Sequence, residues 1–311
     1  MYYPLLRARQ FELIALRELA IEGSTQDYIV PILEPVKESP NSMDLAFKVF
    51  QERRQLVYLI LNPLVGDKEG DTDYYLTYFT GLEKSNVLPA FYYRNNGKYI
   101  RNSIRTYNLD KCMLICKNDA EPNDSDFKGL MGVTEINAVN VEGPGRNRAL
   151  DRFLKSQNKS YIRLDDLFEK QARNSDYLDI EEHRFSEEHL YYKEDRYSGF
   201  SDYTVLPSEY TDGGSTPRAV VIHLTYLNDQ AQILIRHFTS DNNDSIANVQ
   251  GKFAEAANKA VLFCRSHGLT NSAIVELEAY FDESHYPGLG TVKKISIKNH
   301  LLVVGQYLRT R

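Results

Sequence analysis

Ile136-Asn137-Ala138-Val139-Asn140-Val141-Glu142-Gly143, a helix-length stretch over 148–157, and Ser160-Tyr161-Ile162-Arg163-Leu164-Asp165-Asp166 decide the fold. The two flanks are short β-rich runs in which side chains alternate two by two, and the middle carries spaced apolar residues. A strand, a helix and a second strand in that order make a parallel crossover unit. The same beat extends toward the N-terminus, with strand candidates at 3–8, 29–36, 56–63, 88–94 and 111–117. Helical candidates lie between them at 10–21, 43–53 and 73–84. An eighth strand is placed at 200–207, in Phe-Ser-Asp-Tyr-Thr-Val-Leu-Pro.

Seven strands within the first 166 residues of a 311-residue chain, each followed by a longer segment, point to a parallel sheet covered on both faces. The eightfold count predicts a (β/α)8 TIM-like barrel, whose usual ~250 residues leave room for insertions. A doubly wound open sheet is the alternative. The reading treats 1–311 as a single barrel domain. It places a charged helical insertion at 167–199, between strands seven and eight, and a β-hairpin at 218–238. The polar turn Leu227-Asn228-Asp229-Gln230 marks the centre of that hairpin. Amphipathic helices are predicted at 245–266, closed by Gly268, and at 292–308.

With 42% apolar residues the chain can bury a sizeable core, and no apolar run nears the ~20 residues of a membrane span. Arg7, Arg9 and Glu12 interrupt the N-terminal apolar stretch, which therefore does not read as a signal peptide. Three cysteines, two of them (Cys112 and Cys116) within one strand candidate, do not form a disulfide framework. A cytoplasmic setting is the expectation. A net charge of −6 does not indicate a nucleic-acid partner, which usually leaves a basic footprint.

Three motifs, YYPLLRARQFELIALREL (2–19), IVPILEPV (29–36) and FSDYTVLP (200–207), resemble the Beta-protein family of bacteria and phages. The resemblance covers nearly the whole chain. It implies a barrel-like α/β fold and an association with mobile elements and phage defence, and it supplies no catalytic residues.

In such a barrel the site lies where the strands end at their C-terminal side. Those ends carry Arg7, Glu34, Asn62, Arg94, Lys117, Glu142, Arg163 with Asp165, and Asp202. Alternation groups Val30, Ile32 and Glu34 on one face, and likewise Tyr58, Ile60 and Asn62. The same rule joins Asn140 to Glu142, and Tyr161 and Arg163 to Asp165. The polar faces are expected to point into the mouth as a ring of four cations and four carboxylates.

Two readings of that ring stay open. In one, the charges pair with each other and plug the barrel. In the other, Glu34, Glu142, Asp165 and Asp202 act as acid–base groups or hold Mg2+ or Mn2+. Arg7, Asn62, Arg94, Lys117 and Arg163 would then grip an anionic, phosphate-bearing ligand for metal-assisted hydrolysis. Arg146, in the turn Gly143-Pro144-Gly145-Arg146, is a further phosphate candidate at a helix start.

A different class of function is a non-catalytic sensor or adaptor. It would hold a protein partner on the insertion and hairpin, through Glu181, Glu182, Glu187 and Glu188. His183 and His189 read as part of a solvated helix face, and His223 and His237 as ordinary strand histidines or as acid–base groups at the mouth. The tail cations Lys293, Lys294, Lys298, Arg309 and Arg311 leave room for a polyanion contact.

Overall fold

Runs of alternating apolar residues become strands, and the segments between them become helices that cover the outside of the strands. The computed structural model describes residues 1–23, 26–71, 73–82, 86–213, 217–243 and 245–311. In chain order the elements begin β1 (Leu5–Leu6), α1 (Gln10–Glu22), β2 (Ile32–Leu33), α2 (Asn41–Glu52), β3 (Val57–Ile60) and α3 (Tyr74–Gly81). There follow β4 (Val87–Tyr92), α4 (Gly97–Thr106), β5 (Cys112–Lys117), α5 (Ser125–Met131), β6 (Ile136–Glu142), α6 (Arg148–Lys155) and β7 (Ser160–Asp165). The C-terminal part adds β8 (Glu182–Ser186), α7 (Glu188–Tyr191), β9 (Gly199–Asp202), β10 (Val221–Leu227), β11 (Ile233–Thr239), α8 (Val249–His267), α9 (Ser272–Asp282) and α10 (Leu289–Arg309). Residues 83–84 of the third helical candidate lie outside the described residues.

Eight parallel strands in the order β1-β2-β3-β4-β5-β6-β7-β9 form a nearly closed, TIM-like barrel. The seam closes at Tyr2, which bridges to Ile29 on one side and to Phe200 on the other. Across it the Tyr3 amide donates to the Phe200 carbonyl at 2.8 Å, and the Phe200 amide to the Met1 carbonyl at 3.2 Å. The inner face of the barrel holds an apolar layer that includes Leu5, Ile32, Ile60, Ala90, Ile115 and Ile162. The outer face shares a larger core with the helices.

The 167–199 insertion is not the helical stretch expected from its charge. Among the described residues it contains a one-turn 3-10 helix (Asn174–Leu178), the strand β8 and the one-turn α7. β8 pairs antiparallel with β11, so insertion and hairpin build one sheet in the order β10-β11-β8. The reason is local: Phe185 is buried while its neighbours Glu182 and Arg184 meet water or Arg236, a two-residue period that suits a strand. The last barrel strand ends at Asp202, and 203–207 leave it as irregular backbone.

One face of the small sheet packs on α10, whose neighbours include α1 and α9. Lys294 and Lys298 of α10 are nearly sealed between these helices. Lys294 donates to Glu18 and Glu276 at 2.8 and 2.7 Å, and Lys298 pairs with Glu18 and Glu22 at 2.8 and 2.7 Å. Of the tail cations expected as a polyanion contact, Lys294 and Lys298 are therefore consumed inside the fold and Lys293 pairs with Glu12, whereas Arg309 and Arg311 are exposed. No described helix is long and apolar enough to cross a membrane.

The seam needs a glycine at 199. A Cβ there would sit 2.6 Å from the Tyr3 ring and 2.8 Å from the Met1 carbonyl oxygen. Gly199→Val is expected to cost about 2 kcal/mol in urea unfolding, the scale of an overpacked core site. Wild-type stability in that variant would contradict closure at this seam.

Candidate functional site

Strand parity sorts the charges at the C-terminal end of the barrel. Arg7, Glu34, Asn62, Tyr92, Lys117 and Glu142 continue the inward rows of Leu5, Ile32, Ile60, Ala90, Ile115 and Ala138. A cavity of about 200 Å³ opens there, lined by Arg7, Glu34, Tyr92, Arg94, Lys117 and Glu142, with Tyr203 on its β9 side. Five of the eight ring charges thus come together.

Arg163, Asp165 and Asp202 do not. Ile162 and Leu164 fill the barrel interior, so Tyr161, Arg163 and Asp165 face outward. Arg163 pairs with Asp165 at 2.6 Å and with Glu188 of α7 at 3.3 Å. The expectation failed because the insertion brings its own carboxylate to the outer face of β7, where polar side chains are therefore stable. Asp202 is also outside the barrel, sealed under α10. It accepts from the Tyr2 hydroxyl at 2.6 Å and from the Thr204 amide at 2.7 Å, while the same hydroxyl lies 3.0 Å from Nε2 of buried His300. Thr225 of β10 meets Nδ1 of that imidazole at 3.2 Å. This network joins barrel wall, small sheet and α10 with no route to water, and its role is structural.

The floor of the mouth is a closed ion pair. Glu34 has no solvent exposure, and the Arg7 guanidinium is bonded to it. Tyr92 donates its hydroxyl to Glu34 at 2.9 Å and the Leu64 amide donates at 2.8 Å. Arg7 also donates to the Ser208 carbonyl and lies over the Tyr203 ring, 5.6 Å from its centroid. Burial pushes the Tyr92 and Tyr203 phenols up, so both remain protonated donors. Asn62, expected to bind ligand, spends its amide on the Tyr92 backbone, with contacts of 2.9 and 2.8 Å.

Lys117 and Glu142 are register partners on β5 and β6, and Arg94 follows β4. Among the described residues no ion pair engages the side chains of Arg94, Lys117 or Glu142. Arg146 is exposed in a 3-10 turn (Pro144–Arg146) that does not line the cavity. Among the described residues no group of three His, Cys, Asp or Glu side chains is arranged to hold a metal ion.

The four glutamates of the insertion expected to hold a partner are engaged as well. Arg236 of β11 holds Glu181 and Glu182, Arg184 holds Glu187, and Arg163 holds Glu188. His189 is buried rather than on a solvated face, with Nε2 at 2.7 Å from the Ala231 carbonyl. Cys112 and Cys116 are core residues whose thiols burial pushes up to about 12, far from a nucleophile's range.

His223 and His237 do not face the mouth either. They stand directly opposite on β10 and β11, with their Nδ1 atoms 2.6 Å apart, and His183 of β8 lies beside His237 with ring centroids 5.2 Å apart. This cluster borders a second cavity of about 1070 Å³ at the rim of the barrel, between the segments after β7 and β9, the small sheet and α10. Sequence reading missed the cluster, although a hairpin turn centred near residue 230 puts 223 opposite 237.

No protein-family model matches the chain, and no curated protein matches its sequence.

Burial, and secondly His183, holds the His237 imidazole down to about 3, while burial and His237 hold His223 well below its ordinary range. Both are neutral in the fold and protonate more readily in the unfolded chain. Their contribution is complete above about pH 6.5, the unfolded value, and is lost as pH falls toward the folded value. Between pH 6 and 5 the unfolding free energy is expected to drop by about 1 kcal/mol for each of the two histidines. His223→Gln should flatten that slope; equal slopes in the two proteins would contradict the assignment.

Glu34→Gln leaves the partly buried Arg7 guanidinium without its counter-charge. A loss of about 3 kcal/mol in urea unfolding is expected, whereas a loss below 1 kcal/mol would show that the pair is not sealed.

Proposed function

We propose that this protein binds a small anionic, phosphate-bearing ligand at the C-terminal mouth of its barrel. The observation that carries this reading is the division of labour among the mouth cations. Arg7 is neutralised by Glu34, whereas Arg94 and Lys117 line the same cavity with no carboxylate bound to them among the described residues. Two unpaired cations converging over a dry, aromatic-walled floor attract an anion more strongly than the same charges spread over an open surface.

Lys117 at the end of β5 is the point charge of this site, and Arg94 supplies a planar donor fork from the neighbouring strand. Tyr92 and Tyr203, held protonated, wall the cavity with hydroxyl groups. Glu142 stands beside Lys117 and is the only carboxylate of the described lining apart from buried Glu34. It is the group placed to accept a proton from a bound ligand or water. The donor set does not extend to a divalent cage: Glu34 is saturated, while Asp165 and Asp202 are outside the barrel. The proposal is therefore binding, with Glu142 as its one candidate for acid–base work and no metal-assisted step.

The resemblance of 2–19, 29–36 and 200–207 to the Beta-protein family extends the proposal to a role in conflict with phages or mobile elements. That extension rests on the resemblance alone.

Inorganic phosphate or pyrophosphate at millimolar concentration is expected to raise the thermal midpoint by about 2 °C through preferential binding to the folded state. Lys117→Glu should abolish the rise and Arg94→Glu should reduce it. An undiminished rise in both variants would overturn the mouth as the anion site.

A further inference from the structure

The rim cavity is the larger of the two, and the mouth proposal leaves it unused. The segment after β9 separates them: Tyr203 and Ser208 line the mouth, while Val205, Leu206 and Pro207 line the rim cavity. Its walls are mixed, about half apolar, with Val205, Leu206, Val221 and Val292 on the apolar part. At one end Phe168, Tyr177 and His223 pack edge to face, with His223 centroids 5.1 and 4.9 Å from the other two rings.

The charge around this cavity is one-sided. Its described lining contains Lys170, Arg173, Arg218 and Lys293 and no carboxylate, in a chain whose net charge is −6. Lys170 and Lys293 are paired with Glu209 and Glu12 at 2.6 and 2.9 Å. No ion pair engages Arg173 or Arg218 among the described residues. The first turn of the 21-residue helix α10 also borders the cavity, without an acidic residue in that turn and without a side-chain cap, so it adds partial positive charge.

His223 supplies a donor at the inner end. Its Nδ1 faces Nδ1 of His237, and Nε2 of buried His237 has no hydrogen-bond partner among the described residues. A buried nitrogen without a partner is less costly as a bare acceptor than as an unsatisfied N–H. His237 therefore carries its proton on Nδ1 and donates to His223, which leaves the His223 proton on Nε2. Both rings are neutral, so the group offered at the cavity is one N–H donor.

We propose that the rim cavity is a second binding site, distinct from the mouth, for an organic anion of nucleotide size. The planar body would lie against the apolar and aromatic walls, and the phosphate would meet Arg173 and Arg218. A volume of about 1070 Å³ exceeds what a bare phosphate fills, and walls that join an apolar, aromatic part to unpaired cations suit a ligand with a planar body and a charged group. Adenosine 5′-monophosphate is the probe that carries both chemistries.

Isothermal titration of the full chain with this nucleotide, with adenosine and with inorganic phosphate tests the site. The expected result is nucleotide binding that falls at least tenfold in Arg173→Glu/Arg218→Glu and persists in Lys117→Glu. In Lys117→Glu, which removes the mouth's phosphate binding, adenosine and phosphate should each bind at least tenfold more weakly than the nucleotide. The two arginines are exposed, so their replacement leaves the core intact; a circular dichroism spectrum and thermal midpoint matching wild type verify that. No detectable nucleotide heat at millimolar concentration would overturn the proposal. So would binding lost in Lys117→Glu but kept in the double variant, which assigns the nucleotide to the mouth. In Lys117→Glu, adenosine or phosphate binding as tightly as the nucleotide would overturn it too, because one half of the proposed recognition would then be idle. Failure of the phosphate test at the mouth leaves these outcomes unaffected.

Discussion

A carboxylate without solvent is the constraint around which the mouth of this barrel is arranged. Glu34 lies at the end of β2 with no exposed surface, and an isolated charge in that position is unstable by several kcal/mol. The fold answers with Arg7 from the end of β1, the Tyr92 hydroxyl from β4 and the Leu64 amide after β3. Arg7 is itself tied to the Ser208 carbonyl after β9. One anion thus gathers groups from both sides of the barrel seam. It also decides which charges remain for a ligand, because Arg7 and Glu34 neutralise each other and Arg94, Lys117 and Glu142 are left.

The same rule governs the charges outside the barrel. Asp202 is dry and is held by Tyr2 and the Thr204 amide, and Lys294 and Lys298 are nearly dry and are held by three glutamates. A sealed Asp–Tyr–His cluster looks catalytic when residue types alone are considered. Its closure by α10 makes it a joint between barrel and helix. Accessibility separates the two cases: at the mouth and at the rim, cations that no ion pair engages among the described residues border a cavity.

Much of the barrel was legible because parallel strands and their helices each leave a local period in the sequence. The inward direction of Glu34 and Glu142 was legible too, since Glu34 follows Val30 and Ile32 on one face and Glu142 shares its face with Asn140, opposite Val139 and Val141. For β7 the same logic failed. Ile162 and Leu164 on one side and Tyr161 on the other are all buried, and parity does not say which buried side is the interior. Polarity was taken as the guide, yet Arg163 and Asp165 are stabilised outside by Glu188, a partner whose position depends on the insertion. The three-stranded sheet was hidden for a related reason. Glu182 and Arg236 are 54 residues apart, and a five-residue strand rich in charge carries little local signal. The rim cavity depends on that sheet and on α10, so it was invisible until both were placed.

The most direct test of a sealed floor beneath free mouth cations is a crystal structure with tungstate, located by anomalous scattering. The expected result is a tungstate between Arg94 and Lys117, with Arg7 still bonded to Glu34. A tungstate bound by Arg7 after its release from Glu34, or none at the mouth, would contradict this account.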